Sequence, residues 1–316
     1  MSNPSAIKIA VDIGGTFTDG IAEDVSTGQI KAAGSVTDVV HGTTLVTNTL
    51  IERTGVSTGL VLTKGTRDTL DIRREIRYDL YDLDLELPEP LVAPEHRFEV
   101  DERLDAKGGV LTPLDVGALA VLARDLHQSG VEAVAICLLH GHVNDVHERQ
   151  VQAALKQALP GVSVSISSAV ARELREYERM STTAANAYVQ PLVERYMRML
   201  AERMATAGIG GSLRIMLSSG GFTSAEAAAE TPILLLESGP AAGVLSAVNA
   251  GLLSQEDYVL AFDMGGTTAK ACVAVGGAPD IAHSFEAARV RRFRKGSGLP
   301  ILIPSIDLIE IGAGGG

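Results

Sequence analysis

Asp12-Ile13-Gly14-Gly15-Thr16-Phe17-Thr18-Asp19 and Asp263-Met264-Gly265-Gly266-Thr267-Thr268-Ala269-Lys270 are two renderings of one pattern, Asp-x-Gly-Gly-Thr. Each follows an apolar run, Ile7 to Ile13 and Tyr258 to Asp263, whose β-branched and aromatic residues predict a strand. Each precedes a second predicted strand, about Gly20 to Val25 and Ala271 to Val275. The two glycines let successive backbone N–H groups turn toward an anion, and the threonine hydroxyl adds a donor. A carboxylate is repelled by phosphate, so Asp12 and Asp263 are suited to holding Mg²⁺ or orienting a nucleophile. Two such hairpins facing each other would grip a polyphosphate from both sides. A single copy is equally well explained as an ordinary hairpin turn with a left-handed glycine. Two copies, each behind an apolar strand, make that explanation weak. Neither copy has the Gly-Lys-Ser/Thr of a P-loop or the G-x-G-x-x-G of a dinucleotide fold.

Outward from the first hairpin, the pattern predicts a third strand at Gln29 to Val36, a helix from Leu45 to Arg53 and a buried strand at 59–62. Residues 67–113 alternate in charge sign and read as an insertion. Helix 114–128, strand 133–139, helix 147–159 and strand 162–167 then alternate as in an α/β protein. A long or kinked helix at 181–204 contains Pro191. Gly208-Ile209-Gly210-Gly211-Ser212 is the best linker, which divides the chain into residues 1–207 and 208–316. The second part continues with strand 213–217, helix 224–229, strand 233–236 and helix 241–250 before the second hairpin.

Composition narrows the functional classes. At 316 residues the chain exceeds the usual single core, so two domains are expected. A net charge of −12 argues against a nucleic-acid or anionic-membrane partner, and 4% aromatics without Trp argue against a base-stacking platform. Cys137 and Cys272 both sit in apolar runs, as reduced buried thiols do. With no leader pattern and no long apolar span, the expectation is a cytoplasmic protein.

The paired hairpins resemble the phosphate-binding hairpins of the actin-like ATPase and sugar kinase superfamily. The resemblance narrows to the hydantoinase A and 5-oxoprolinase family. Its words here are VDIGGTFTD (11–19), HGTTLVTNTLIERTG (41–55), TKGTRDTLDI (63–72), YDLYDL (78–83), ERLDAKGGVLTPLD (102–115), REYERMSTTAANAYVQP (175–191), LSSGGF (217–222), ESGPAAGV (237–244), FDMGGTTAK (262–270) and IDLIEIGAGGG (306–316). The resemblance implies ribonuclease-H-like α/β domains with mixed sheets flanked by helices, closing around a nucleotide cleft. It implies ATP and Mg²⁺ as cofactors, and opening of a cyclic amide after phosphorylation of its carbonyl oxygen. It also implies a hydantoinase B-type partner subunit. Related subunits support ketone carboxylation, and a chain lacking part of the machinery would be a nucleotide-binding module. Family members usually continue beyond GAGGG, so the chain reads as the front portion of a longer subunit, its second domain incomplete.

Site residues follow residue by residue from that resemblance. Asp12, Asp19, Asp263 and Glu310 are the candidate catalytic acids, with Asp12 and Asp263 also facing the metal. Gly14, Gly15, Thr16 and Thr18, with Gly265, Gly266, Thr267 and Thr268, are expected to hold phosphate. Ser219, Gly220 and Gly221 fit an adenosine-side loop, and Ser238 with Gly239 a hinge helix, both in permuted order; an equal alternative places the adenosine contacts in the C-terminal part of the longer subunit. His41, Thr43, Thr44 and Arg67 are expected near substrate. Three departures stand out: Thr66 where many members have Phe, Arg73 where they have Gly, and Lys270 where the first hairpin has Asp19. The last favours the hydantoinase and carboxylase-like branches over 5-oxoprolinase. His140, His142 and His147 are too loosely spaced to read firmly as a metal site. Glu176 to Arg179 read equally as solvated charge or as part of an interdomain hinge. The basic run 289–295 reads by default as a solvated face, with attraction of an anionic substrate or acidic partner as the alternative.

Overall fold

The computed structural model describes residues 7–13, 18–24, 36–264, 269–291 and 294–311. Its elements, in chain order, begin with β1 (Ile7–Ile13), β2 (Thr18–Asp24), β3 (Val36–Thr43), α1 (Leu45–Glu52), β4 (Thr58–Thr63) and β5 (Arg97–Val100). Then come α2 (Leu119–Gln128), β6 (Ala133–Cys137), α3 (Val146–Ala158), β7 (Ser163–Ile166) and α4 (Glu176–Thr206). The remainder used below is β8 (Ser212–Met216), β9 (Phe222–Ser224), α5 (Ser238–Leu253), β10 (Tyr258–Met264), β11 (Ala269–Val275) and β12 (Ile309–Ile311).

The chain divides into two compact units, one of residues 1–48, 193–283 and 304–316, the other of 49–192 and 284–303. The first unit carries a five-stranded sheet in the order β9-β8-β3-β1-β2. β1 pairs antiparallel with β2 and parallel with β3, and β3 takes β8 in parallel on its other side. Gly211 permits that last pairing, because a Cβ there would stand 2.9 Å from the Thr37 carbonyl carbon. The same unit holds a second sheet in which β11 pairs antiparallel with β10 and with β12. Helix α5 buries Ala241, Val244 and Val248 against Ala261, Cys272 and Ala274 on one face of that sheet. The alternate residues Tyr258, Leu260, Phe262 and Met264 of β10 are exposed, as are Val273 and Val275 of β11, because side chains alternate between faces.

The second unit is built on a parallel sheet in the order β5-β4-β6-β7. Its apolar strands are covered on one side by α2 and α3, through Leu122, Leu126, Val151 and Leu155. On the other, Leu60, Leu62 and Ala135 pack with Met180, Ala184 and Ala187 of α4. Burial on both faces is the reason these strands read as continuous apolar runs. Gly55 lies directly under the Tyr188 ring, with no room for a Cβ.

Three sequence expectations differ from the structure. Strand pairing puts β8, which follows the supposed linker, into the same sheet as β1, so the compact units do not follow a cut between 207 and 208. Residues 233–236 do not extend as a strand; Pro232 to Leu235 form a 3-10 turn, with proline's fixed φ at its start. Strand β3 begins at Val36 rather than ending there, and residues 25–35, where the third strand was expected, lie outside the described residues. Pro191 interrupts no element, since α4 runs unbroken past it. Among the described residues no helix is long and apolar enough to cross a membrane.

Candidate phosphate-binding site

Register places the two echo motifs alike. On the first hairpin Asp12 is opposite Asp19 and Ile13 opposite Thr18. On the second Asp263 is opposite Lys270 and Met264 opposite Ala269. Gly14, Gly15 and Thr16, and Gly265, Gly266, Thr267 and Thr268, lie outside the described residues. The frame around both turns is nevertheless fixed, and the Asp263 side chain is exposed at its strand end. Glu310 of β12 stands opposite Lys270, so Asp263, Lys270 and Glu310 form one row across three strands.

In the first sheet β1, β3 and β8 are parallel, and their carboxyl ends deliver Asp12, the segment His41–Thr43 and the loop 217–221 to one edge. The carboxyl edge of parallel strands is where open α/β sheets receive ligands. Ser219, Gly220 and Gly221 form a tight turn closed by the Leu217 N–H on the Gly221 carbonyl at 2.8 Å, with Gly220 at φ +87°. Ser218 is anchored below it, its hydroxyl donating to the Leu234 carbonyl at 2.6 Å.

Two consecutive residues tie both sheets to this edge. Ser238, in the first turn of α5 and fully buried, accepts from the Thr43 N–H at 3.3 Å and donates to the Thr43 carbonyl at 3.1 Å. Thr43 is the register partner of Ile13, directly ahead of the first glycine turn. Glu237, one residue earlier, pairs through its carboxylate with the Lys270 ammonium of the second hairpin. Glu237 adopts φ +61°, a backbone region that costs a non-glycine residue energy and that tends to persist where the surroundings hold it. Its N–H reaches the Thr47 hydroxyl at 3.4 Å. A continuous path therefore runs from the Asp12 strand through Thr43, Ser238, Glu237 and Lys270 to the strand of Asp263.

The residues expected to meet substrate are largely engaged with the protein itself. His41 is buried, with Nε2 2.7 Å from the Tyr196 hydroxyl and its ring bonded to the Val11 carbonyl. Burial lowers its pKa below the usual 6.5, partly offset by that carbonyl. Thr43 gives its backbone to Ser238, and its hydroxyl accepts from the Leu45 N–H at 3.2 Å. Thr44 receives a hydrogen bond from the Asn48 amide at 3.2 Å at the start of α1. Gly239, like Ser238, is buried within α5. Arg67 belongs to the second unit, where its guanidinium donates to the Pro94 carbonyl at 2.6 Å. Tyr196, Glu237 and Lys270 complete the framework and were not among the candidate site residues. The mismatch of Lys270 with Asp19 signals Lys270 in the sequence; nothing there singles out Tyr196.

The second unit has its own buried polar cluster. Glu102 bonds the Thr63 hydroxyl and stands 2.6 Å from His147 Nδ1. Glu148 accepts from the Leu138 N–H, the Ser167 hydroxyl and the Ser168 N–H at 3.0, 2.5 and 2.9 Å. Arg179 bonds the Leu138 carbonyl at 2.6 Å, His142 at 2.5 Å and Cys137 Sγ at 3.4 Å. His142 and His147 thus have separate partners, and no three metal-binding side chains gather among the described residues. Mg²⁺ does not require such a group, since one or two carboxylates suffice when phosphate and water supply the rest.

Comparison with known proteins follows the same lines. Residues 20–159 match the hydantoinase/oxoprolinase N-terminal region, and residues 179–316 match hydantoinase/oxoprolinase. The chain is 35% identical over 340 residues to the uncharacterized protein MJ0964 of Methanocaldococcus jannaschii, covering 98% of this chain and 50% of that one. It is 30% identical over 346 residues to the caprolactamase subunit alpha of Pseudomonas jessenii, covering 98% and 48%. The crystal structure of the ATP-dependent caprolactamase from that organism superposes with a TM-score of 0.85 at 28% identity, over 98% of this chain and 48% of the other. The acetophenone carboxylase gamma subunit of Aromatoleum aromaticum is 28% identical, covering 85% and 42%. The chain spans about half the length of these relatives. It is a mixed α/β member of the hydantoinase/oxoprolinase family.

Proposed function

We propose that this chain is the ATP-using part of an enzyme that opens a cyclic amide. The observation that carries the reading is the pair of Asp-x-Gly-Gly-Thr hairpins, set in matching register on two sheets and joined through Glu237 and Ser238. The glycine turns hold the phosphates of ATP, and Asp12 and Asp263, at the strand ends beside those turns, hold Mg²⁺ against them. Ser219 to Gly221 face the nucleoside. The caprolactamase relative supports a lactam as substrate, and the hydantoinase/oxoprolinase family supports a hydantoin or 5-oxoproline.

The chemistry has a clear physical logic. An amide carbonyl is a poor electrophile, because nitrogen donates into it and no good leaving group is present. Transfer of the terminal phosphoryl group to the carbonyl oxygen, with release of ADP, converts that oxygen into a leaving group. Water then adds at the carbon and the ring C–N bond breaks, the nitrogen leaving as a protonated amine and an acyl phosphate remaining. A second water hydrolyses that acyl phosphate to the carboxylate and free phosphate. The protein's share is alignment and charge stabilisation around the transferred group. His41 and Thr43 serve by holding the site together rather than by touching substrate. We further propose a hydantoinase B-type partner subunit, and a cytoplasmic location in keeping with two free, buried cysteines.

Phosphate release from ATP by the purified protein, alone and with its partner subunit, tests the reading against lactams, hydantoins and 5-oxoproline. Stimulation by one of these supports it. Stimulation by acetophenone with bicarbonate alone replaces it with the carboxylase reading. ATP binding without stimulated turnover under any condition leaves a nucleotide-binding module.

A further inference from the structure

Tyr196 projects from α4 within the first unit toward the carboxyl edge of the first sheet. Its hydroxyl is 2.7 Å from His41 Nε2. The other side of the His41 ring is bonded to the Val11 carbonyl, so the neutral ring keeps its proton on Nδ1 and accepts the tyrosine proton at Nε2. The Thr43 hydroxyl in turn donates to the Tyr196 oxygen and accepts the Leu45 N–H. One phenol thereby closes a network through β1, β3 and the first turn of α1. Its contacts fall beside the first hairpin: Val11 immediately precedes Asp12, and Thr43 is in register with Ile13.

We propose that Tyr196 is a positioning residue for phosphoryl transfer, fixing through His41 and Thr43 the carboxyl ends of β1 and β3 and hence the backbone at Asp12. The inference rests on the proposed ATP-dependent reaction, but its geometry does not. β8 stops supporting β3 at the pair Ile215 and His41, so the two residues beyond need another restraint. Ser238 supplies it to the Thr43 backbone, and Tyr196 supplies it to the side chains of His41 and Thr43. Removing the phenol oxygen alone leaves a buried imidazole nitrogen without a donor while keeping the aromatic packing.

The test is Tyr196→Phe with Thr43→Ser and Thr43→Val, measured in two ways. In turnover with ATP, Tyr196→Phe is expected to lower kcat about tenfold with KM for ATP within about twofold, as a misaligned but still occupied site does. Thr43→Val should reproduce the loss, and Thr43→Ser, which keeps the hydroxyl, should restore it. Independently of turnover, amide exchange at Val11, Asp12 and Ile13 should quicken about tenfold in Tyr196→Phe. Unchanged exchange with unchanged kcat overturns the inference, as does a KM rise at constant kcat. If the wild-type protein turns over no ATP, the functional reading falls alone. Exchange at residues 11–13 then still decides whether Tyr196 fixes this edge.

Discussion

Replacing Ser238 with alanine removes one oxygen atom and two hydrogen bonds, and the structure says what that should cost. β8 pairs with β3 only as far as Ile215 and His41, so on that side the Thr43 backbone has no strand partner. The Ser238 hydroxyl takes the missing strand's place, accepting from Thr43 N–H at 3.3 Å and donating to Thr43 C=O at 3.1 Å with no solvent access. Leaving two buried backbone groups unpaired costs about 1–2 kcal/mol each, and loss of a single oxygen opens too little space for water to substitute. Ser238→Ala should therefore destabilise the protein by about 2–4 kcal/mol. Urea unfolding measures the total, and amide exchange at Thr43 should accelerate about thirtyfold or more, the equivalent of 2 kcal/mol or above. A stability change below about 0.5 kcal/mol, with Thr43 exchange unaltered, would refute the claim that Ser238 clasps this strand.

Further outcomes follow from other parts of the molecule. His41 has a lowered pKa in the folded state, so its contribution to stability is complete above the unfolded value of 6.5 and is lost as pH falls toward the folded value. Stability should fall on acidification below pH 6.5 by up to about 1.4 kcal/mol per pH unit from this group, and His41→Gln should flatten that slope. Gly55→Ala would set a Cβ 2.1 Å from the Tyr188 ring and should cost about 1–3 kcal/mol in thermal unfolding. Leu260→Lys, on the exposed face of the second sheet at 67% exposure, should change stability by no more than about 0.5 kcal/mol while lowering binding of a hydrophobic dye.

Local chemistry made part of this protein legible. β1 was read to the residue, because a β-branched run ends in a glycine pair. The alternation from 133 to 166 also survived, since two-sided burial demands unbroken apolar strands there. What the chain order hid was topology. Gly208 to Ser212 reads as a linker, yet a strand after a glycine-rich turn is free to return to an earlier sheet, and β8 does so beside β3. The site was half legible for a similar reason. A motif names Thr43 and Ser238 but not that the Ser238 hydroxyl bonds the Thr43 backbone, 195 residues away. Tyr196 gave no signal at all, because a tyrosine on a helix reads as packing until its hydroxyl is seen against His41.

The central claim is that both hairpins act on one ATP. Asp12→Ala, Asp263→Ala and the double substitution, compared for ATP turnover in the presence of the amide substrate, test it most directly. If the two carboxylates serve a single nucleotide and metal, each single change should lower kcat at least about a hundredfold, with thermal unfolding near that of the wild type. The double change should then cost no more than the worse single one, because groups that act as a unit are not additive. Full activity in either single variant, or losses that multiply in the double variant, would contradict the account.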